Sequence, residues 1–587
     1  MFRKWLTFVS LVLLIALPWS PMPPASAQSA NPCTTALASE SVATKRAPAV
    51  RASKQGRFGD DTRDVRELLQ RSALASQAAS RALTAARPAA DRDENNIAIL
   101  EDRGDLIARP NPFDLANSGI RFEPSGSGYA IAATGAEFRT PLGTALTLID
   151  DDSTAQAIAF AFPFYGRQFS SMFVNSDGNI TFEEPDNAST ARGLGRLTSG
   201  APRVAPFFAD LDPSAGGRVF LNNAPDGLTL TWCAVPGFGL SESVTVQATL
   251  LPTGAVEFRF GTATLSDSIV ALSPGRNTSF VGVDLRASGQ VTEAAAIGEL
   301  FTSTASLDLV TASRRFYETH PDNFDQLVFW TDSPVVSDAF AFESSVKNAI
   351  TGTGLPVFDF SAEFGSGGAL QSVVNMDHLA KYPDSPSQLL GRVNTTLGIL
   401  AHETGHRWLA RLSFRDANRE VSEQLLGRQL AHWSFFMDSD GSVMEGNDIQ
   451  DLGGGTFRTT SATEKYSRLD MYAMGLATEA EVPRWFYVEP APDTSFDREE
   501  PAMPGTTFKG TRRDVLIQDV VDALGPRVPA AADSPKVHRQ AYVYVRQASG
   551  FFNAQDLAKL SRIREQFGPF FSTATENRMT VRTTLAR

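Results

Sequence analysis

Short alternating runs of apolar and polar residues dominate the middle of the chain. Between about residues 116 and 290 the runs are separated by Gly, Asp, Asn and Pro, as in IAFAFPFYGRQF, MFVNSDGNITF, LTLTW and VTVQATLLPTGAVEFRF. This spacing predicts strands joined by tight turns, with turns at 175–179 and 252–254. Another strand, turn and strand are predicted in IAILEDRGDLIARPNPFDL, which begins at residue 97. We therefore predict an all-β sandwich or barrel.

The pattern changes after about residue 310, where helical and strand periods are mixed. Residues 327–331 (LVFWT) and 371–376 (QSVVNM) predict strands. Helical spacing is found in TTLGILAHETGHRWLARL, which Asn394 or Thr395 can cap, and again over 420–432 and near 554–567. The second half is therefore predicted to be an α+β domain.

The N-terminal 27 residues indicate export, and the residues up to 95 form a separate leader. Arg3 and Lys4 precede an apolar run at 6–17 that is too short to span a bilayer, and residues 25–27 (ASA) offer a cleavage site. We predict a signal peptide at 1–27 and a secreted protein, extracellular or periplasmic. Residues 28–95 are rich in Ala, Arg, Ser and Asp and predict a low-complexity leader, as a linker or a propeptide, with one helix at 64–86.

Length, charge and cysteine content narrow the classes of function. A chain of 587 residues exceeds one core, so we predict domains at 96–300 and 310–587. The net charge of −13, with no basic block after the first residues, disfavours nucleic acid as a partner. No later apolar run has the length of a membrane helix, so an integral membrane protein is not predicted. Cys33 and Cys233 allow one disulfide in an oxidising compartment.

Candidate chemistry is concentrated at residues 402–406, which read HETGH. His402 and His406 stand four positions apart and therefore project from one face of a helix, where both imidazoles can reach one cation. Glu403 can then accept a proton from a water that the metal activates. The pattern HExxH predicts a zinc hydrolase.

A catalytic zinc site needs a third protein ligand, and its identity stays open in the sequence. The longer pattern HExxHxxGxxH is absent, because Leu409 and Leu412 occupy its last defined positions. The candidates are His432, Glu445 and Asp470. His432 is preferred because neutral imidazole suits zinc and because three of the six histidines then fall within 31 residues.

Other polar residues are weaker candidates for calcium ligands or for donors to an oxyanion. Residues 150–152, together with Asp210 and Asp212, could bind calcium, and solvated turns are the favoured alternative. The segment 438–448 could also bind calcium, and its alternatives are a polar active-site rim or a simple turn. Candidate donors to an oxyanion are His320, His378, Tyr466 and Tyr472, for which structural roles are favoured.

Two regions resemble known families. The words FPFYG at 162–166, VNSDG at 174–178, APFFAD at 205–210, Trp232 and QATL at 247–250 are similar to the nidogen-like extracellular domain. That resemblance implies a β module in an extracellular multidomain protein and does not imply catalysis. An extracellular protein or surface ligand is the candidate partner of this module. The words HETGHRW, GRQLAHWSFF, GSVMEGND and YSRLDMYAMGL resemble secreted bacterial zincin-type metallopeptidases. This second resemblance implies His402 and His406 as zinc ligands and Glu403 as general base.

The sequence therefore supports two hypotheses. The first is an exported zinc endopeptidase that acts on a protein or peptide, built from an all-β nidogen-like sandwich and an α+β zincin-like domain. The alternative is a secreted binding or adhesion protein in which the nidogen-like module is the active part. A zinc hydrolase that cuts another bond is a third possibility, because HExxH specifies water activation and not the bond attacked.

Overall fold

The computed structural model describes residues 32–39, 64–82, 91–188, 192–276, 278–287, 295–335, 340–390, 393–548 and 553–585. The predicted signal peptide lies outside these ranges. Strands account for 39% of the structure and helices for 18%, so the chain is mostly β. None of the helices in these ranges is both long and apolar enough to cross a membrane.

The first described elements are α1 (Pro32–Ser39), α2 (Val65–Ala82), β1 (Arg92–Glu94), β2 (Ile97–Asp102) and β3 (Ile107–Ala108). The middle of the chain contains β4 (Gly119–Ser125), β5 (Gly128–Thr134), β6 (Thr144–Leu146), β7 (Ser153–Phe164), β8 (Arg167–Asn175), β9 (Asn179–Thr181), α3 (Leu194–Ser199), β10 (Arg203–Phe208), β11 (Arg218–Ala224), β12 (Gly227–Pro236), β13 (Ser243–Leu250), β14 (Val256–Ala263), β15 (Ser268–Ser273), β16 (Phe280–Gly282), β17 (Ala296–Phe301) and β18 (Ser306–Leu307).

The last part contains α4 (Leu309–Tyr317), β19 (Gln326–Thr331), β20 (Phe342–Ser345), β21 (Lys347–Asn348), β22 (Phe358–Asp359), β23 (Ser372–His378), β24 (Leu389–Leu390), β25 (Asn394–Thr395), α5 (Thr396–Gly405), β26 (Phe414–Arg415), β27 (Val421–Ser422), β28 (Met437–Asp438), β29 (Asp448–Gly453), β30 (Thr456–Ser461), α6 (Arg468–Met474), β31 (Trp485–Pro490), β32 (Thr507–Val515), α7 (Ile517–Leu524), β33 (Val537–Gln547), α8 (Ala554–Ala574) and β34 (Thr580–Arg582).

Two largely antiparallel seven-stranded sheets form a β sandwich in the middle of the chain. Their strand orders are β16-β17-β15-β10-β9-β8-β7 and β5-β4-β14-β13-β12-β11-β6. Residues that pair across strands share the buried face, as in the row Trp232, Val246 and Phe260, each at most 1% exposed. Gly254 adopts φ +87 in the predicted turn between β13 and β14. The predicted sandwich is therefore observed.

The turn between β8 and β9 is buried, although its residues are polar. Asp177 is 1% exposed and pairs with Arg192, whose guanidinium also contacts Asp151 and Asp210. Asp212, read from the sequence as part of a solvated turn, is fully buried. Asp151 and Asp210 are counter-ions of Arg192, and with Asp150 they place carboxylate oxygens within 4.8 Å of one another. Calcium at these aspartates stays a prediction.

A mixed seven-stranded sheet organises the last part of the chain. Its order is β1-β2-β33-β19-β23-β20, with β34 added beside β33. Four neighbouring strands (β2, β33, β19 and β23) are parallel, and β20 runs antiparallel at one edge. Continuous apolar runs such as LVFWT suit parallel strands that are covered on both faces. A separate five-stranded sheet has the order β28-β31-β32-β30-β29 and is packed around phenylalanines.

The domain boundary predicted at residue 96 differs from the observed sheet membership. β2 pairs in parallel with β33, with Ile97 opposite Tyr542, and therefore belongs to the sheet of the last part. The predicted strands of this strand-turn-strand pattern do not pair with each other, because β3 pairs with β18. Both pairings join residues that are distant in sequence, which local pattern does not encode.

The leader predicted at 28–95 is partly built into the fold. Cys33 of α1 forms a disulfide with Cys233 of β12. The Glu67 carboxylate of α2 accepts a hydrogen bond from the Gly195 amide at 2.7 Å, and Ser72 lies 3.3 Å from Thr311 between the hydroxyl oxygens. α2 therefore contacts both the sandwich and α4, so the linker reading is wrong for residues 64–82.

Replacing Leu68 with Ala is expected to lower the free energy of unfolding by about 2–4 kcal/mol, because its side chain would leave a cavity. Leu68 is 6% exposed and packs in the cluster that contains Leu100 and Val310. The measurement is denaturant unfolding, with the exposed Ala73→Ser on the same helix as a control. Equal stability of the two variants would show that α2 does not dock.

Candidate metal centre

The HETGH segment forms the last turn of α5, a helix buried along its whole length. Thr395 caps the helix, since its hydroxyl accepts a hydrogen bond from the Gly398 amide at 3.0 Å. The Glu464 carboxylate accepts from the amide and the hydroxyl of Thr395 at 2.6 and 2.7 Å. The negative charge of the Glu464 carboxylate also interacts favourably with the positive end of the helix dipole. The predicted cap at Thr395 is confirmed.

A buried polar contact fixes the helix on the sheet beneath it. The Thr404 hydroxyl donates to the side-chain oxygen of Gln326 on β19 at 3.2 Å. The side-chain amide of Gln540 on β33 donates to the same oxygen at 2.7 Å and to the Thr404 hydroxyl at 3.0 Å. Buried polar groups are costly unless they are paired, so this network favours one register of α5 on the sheet.

Three imidazoles converge at the end of α5. The Nε2 atom of His402 lies 3.0 Å from that of His406 and 3.2 Å from that of His432. One ligand nitrogen from each ring falls within 4.8 Å of the other two. All three residues are buried, His402 at 9% exposure and the others at 0%. Of the sequence candidates, His432 is therefore the one that the fold brings to the HETGH pair.

Two backbone carbonyls orient these rings. The Nδ1 atom of His402 lies 2.7 Å from the Val443 carbonyl oxygen, and that of His432 lies 2.8 Å from the Arg428 carbonyl oxygen. A carbonyl only accepts, so each Nδ1 carries a proton. The Nε2 atoms of His402 and His432 are then the ring nitrogens that can bind a cation, as is usual for metal-binding histidines, and the Arg428 Nη2 atom also lies 3.0 Å from the His432 Nε2 atom.

His432 does not lie on a helix, contrary to the prediction for 420–432. The chain there forms the β26–β27 hairpin and a 3-10 turn at Arg428–Leu430, in which Gln429 and Leu430 adopt φ +57 and +52. The Gly427 amide donates to the His432 carbonyl at 2.9 Å and closes the loop. A β-carbon at Gly427 would lie 2.7 Å from the Arg498 carbonyl oxygen, so the loop backbone packs closely against a distant segment.

Glu445 and Asp470, the other candidates for third ligand, have different partners. The Glu445 carboxylate binds Arg428 at 2.8 Å. Asp470 accepts hydrogen bonds from Trp433 at 2.8 Å, from the Ser442 hydroxyl at 2.7 Å and from the Ser467 amide at 2.6 Å. Burial raises the pKa of Asp470, and these hydrogen bonds oppose the rise. Its carboxylate therefore holds the loop and the start of α6 together.

The remaining oxyanion candidates have structural contacts. The Tyr466 hydroxyl donates to the Ala401 carbonyl at 2.6 Å, and that of Tyr472 accepts from the Arg527 amide at 3.3 Å. His320 stacks on a phenylalanine and lies 3.1 Å from Asp93. His378 ends β23. The structural readings of these side chains fit the contacts seen.

Acidic side chains also meet at 438–448. Asp438, Asp440 and Asp448 place carboxylate oxygens within 4.8 Å of one another. Burial and the charges of the other two carboxylates raise the pKa of Asp438 to about 6, although a hydrogen bond from the Ile449 amide opposes the shift. Calcium at this segment stays a prediction.

Charged and phenolic groups also surround α5. Burial raises the pKa of Glu343 on β20 to about 7 and lowers that of Arg407, next to His406, to about 10. Burial also raises the pKa of Tyr382 above its usual value, and the negative charge of nearby Glu403 adds to the rise. The Tyr382 hydroxyl, which donates to the Met376 carbonyl at 2.9 Å, therefore stays protonated beside Glu403.

Several residues of the centre were missed by sequence reasoning. Tyr382 lies in a segment for which the sequence predicts no element or motif. Arg428 and Val443 lie in the words GRQLAHWSFF and GSVMEGND, but those words assign them no contact with the HETGH pair, and only the fold brings them to α5. Glu464 carried no signal either, because it caps a helix that begins almost 70 residues earlier. Asp470 did carry one: Ser467-x-x-Asp470 before an apolar run is a capping pattern, which indicates a helix start and not a metal ligand.

Gly405 leaves room for the loop that orients His402. A β-carbon there would lie 2.7 Å from the Met444 sulfur and 3.1 Å from a ring carbon of Tyr466. We expect Gly405→Ala to lower the free energy of unfolding by about 1–3 kcal/mol, even though alanine favours a helix by about 1 kcal/mol. Denaturant unfolding of Gly405→Ala, Met444→Ala and the double variant measures this. A double variant as unstable as the sum of the two would refute the steric cause.

Comparison with known proteins identifies one region. Residues 128–330 match the family model described as NIDO related. The chain carries a nidogen-like domain. The match spans β5 to β19. It therefore covers most of the β sandwich and also includes β19, a central strand of the mixed sheet. No curated protein and no solved structure matches the chain.

Proposed function

We propose that the protein is an exported zinc-dependent endopeptidase whose last part is a zincin-like α+β domain. The single observation that carries the proposal is the convergence of the His402, His406 and His432 Nε2 atoms on one helix turn that also holds Glu403. Three histidine ligands, two of them on a helix turn that also carries a glutamate, are a set that a hydrolytic zinc site uses.

The donor set fits zinc in number, type and spacing. When two nitrogens bind the same tetrahedral zinc ion at about 2.0–2.1 Å, they lie about 3.3 Å apart. The distances of 3.0 and 3.2 Å between the Nε2 atoms are close to that value. Neutral imidazole also suits zinc better than magnesium or calcium, which prefer oxygen. The site would hold zinc through His402, His406 and His432.

Bound zinc would supply a positive charge that polarises the scissile carbonyl and makes a water molecule more acidic. Glu403, which is 2% exposed, accepts a proton as the water oxygen attacks the carbonyl carbon. When the C–N bond breaks, Glu403 returns that proton to the leaving nitrogen, so that a carboxylic acid and an amine are formed. The carbonyls of Val443 and Arg428 keep two of the rings fixed while this occurs.

The test is casein hydrolysis by the full-length protein purified from its exporting host, together with elemental analysis. We expect about one zinc per chain, loss of hydrolysis after removal of the metal with 1,10-phenanthroline, and recovery on adding zinc. A zinc-loaded protein that cleaves no protein substrate would contradict the peptidase. In that case another hydrolysed bond would have to be sought among esters and amides.

The nidogen-like domain supports a second candidate, binding to an extracellular protein or surface. Its support is the family match over residues 128–330, which does not depend on the histidines. Binding is tested with the His402→Ala protein on extracellular matrix, and hydrolysis is tested separately with the parent protein. Binding by the variant without hydrolysis by the parent would favour this alternative. Export and the signal peptide at 1–27 belong to both proposals, and fractionation of the host's medium, periplasm and cytosol tests them.

A further inference from the structure

Arg428 is the charged side chain placed against the third imidazole. Its Nη2 atom lies 3.0 Å from the His432 Nε2 atom, which is the nitrogen expected to bind the metal. The same Nη2 atom lies 2.8 Å from one Glu445 oxygen, and Nε lies 3.4 Å from the other. The guanidinium is thus held edge-on by a carboxylate beside the centre.

This pair is enclosed by protein. The side chain of Arg428 is 8% exposed and that of Glu445 is 12% exposed. Such a pair costs desolvation energy that a surface pair avoids, so stability alone is a weak reason for it. A guanidinium presents its N–H donors in a planar fork, which suits an oxygen anion.

The backbone around the pair is also unusual. Glu445 adopts φ +65, and Gln429 and Leu430, which follow Arg428, adopt φ +57 and +52. Left-handed backbone at residues other than glycine costs about 1–3 kcal/mol each and tends to be found at functional sites. Here it directs the two loops so that Arg428, Glu445 and His432 meet.

We propose that Arg428 is a catalytic residue that binds the carbonyl oxygen of the substrate as negative charge develops on it, and that Glu445 positions Arg428. This inference rests on the proposed hydrolase. As the water oxygen adds to the carbonyl carbon, the electron pair of the C=O bond moves onto that oxygen, and the guanidinium donates a hydrogen bond to it. A donor directed at developing charge stabilises the transition state more than the ground state.

Inorganic phosphate provides a test that does not depend on activity, because it is a tetrahedral oxyanion. The zinc site is loaded with cobalt, whose visible absorption reports phosphate binding. We expect Arg428→Met to weaken phosphate binding by about tenfold or more, and Arg428→Lys to recover only part, since lysine lacks the planar fork. Neither variant removes the Arg428 carbonyl that orients His432, so metal content should be unchanged.

The matched control is Arg513→Met, which breaks an exposed Arg–Glu pair with Glu489 at 2.8 Å. In casein hydrolysis, Arg428→Met should lower kcat with little change in KM, whereas Arg513→Met should change neither. Phosphate affinity equal to that of the parent in a cobalt-loaded Arg428→Met protein would overturn the inference and leave the hydrolase standing. A parent protein that binds no metal would overturn both.

Discussion

Glu403→Gln is expected to reduce casein hydrolysis by about 10²- to 10⁴-fold, the range that a positioned general base contributes. Gln keeps the size of the side chain but cannot accept the proton of the attacking water at neutral pH. Glu403 is 2% exposed on α5, and its negative charge contributes to the raised pKa of Tyr382. The variant should retain zinc, because the three proposed ligands are histidines.

Rates are to be measured on zinc-loaded protein, with metal content determined on the same sample. Glu489→Gln removes a carboxylate at an exposed position and should leave the rate unchanged. Loss of zinc together with loss of activity would mean that Glu403 has a structural role or is a ligand. Activity equal to that of the parent would remove Glu403 from the mechanism and, with it, the strongest reason to describe the chain as a peptidase.

The elements with local signals were predictable from the sequence. The strands of the sandwich follow from period-two patterns between turn residues, and α5 follows from its Thr395 cap and apolar spacing. The same local reasoning placed His402, Glu403 and His406 on one turn. These features depend on residues within a few positions of one another, which is the range over which backbone geometry alone acts.

The rest depended on contacts between distant segments. β2 pairs with β33, more than 430 residues later by chain numbering, and no composition rule selects that partner. The helix predicted at 420–432 is absent, because the chain there forms a short strand and a 3-10 turn in which Gln429 and Leu430 adopt left-handed backbone. His432 is preferred for its chemistry, but it reaches α5 from a loop and not from the helix predicted at 420–432. Nothing in the sequence marked Arg428 as part of the centre, since an arginine is usually a surface residue.

His432→Ala is expected to weaken zinc binding by more than about 100-fold, since even loss of a group that only orients a ligand costs about 10- to 100-fold. Its Nε2 atom lies 3.2 Å from that of His402. Glu445→Gln and Asp470→Asn should keep the metal, because their carboxylates bind Arg428 and Trp433 instead. Competition with a chromophoric chelator measures the affinities.

A histidine outside the centre provides the control for these affinities. His320→Gln replaces a ring that stacks on Phe316 and faces Asp93, and it should bind zinc as the parent does. Full zinc affinity in His432→Ala, with loss in Glu445→Gln or Asp470→Asn, would transfer the third ligand to a carboxylate. If Glu445 were the ligand, its carboxylate would have to leave Arg428, and if Asp470 were the ligand, its carboxylate would have to leave Trp433. The site around α5 would then differ from the observed one.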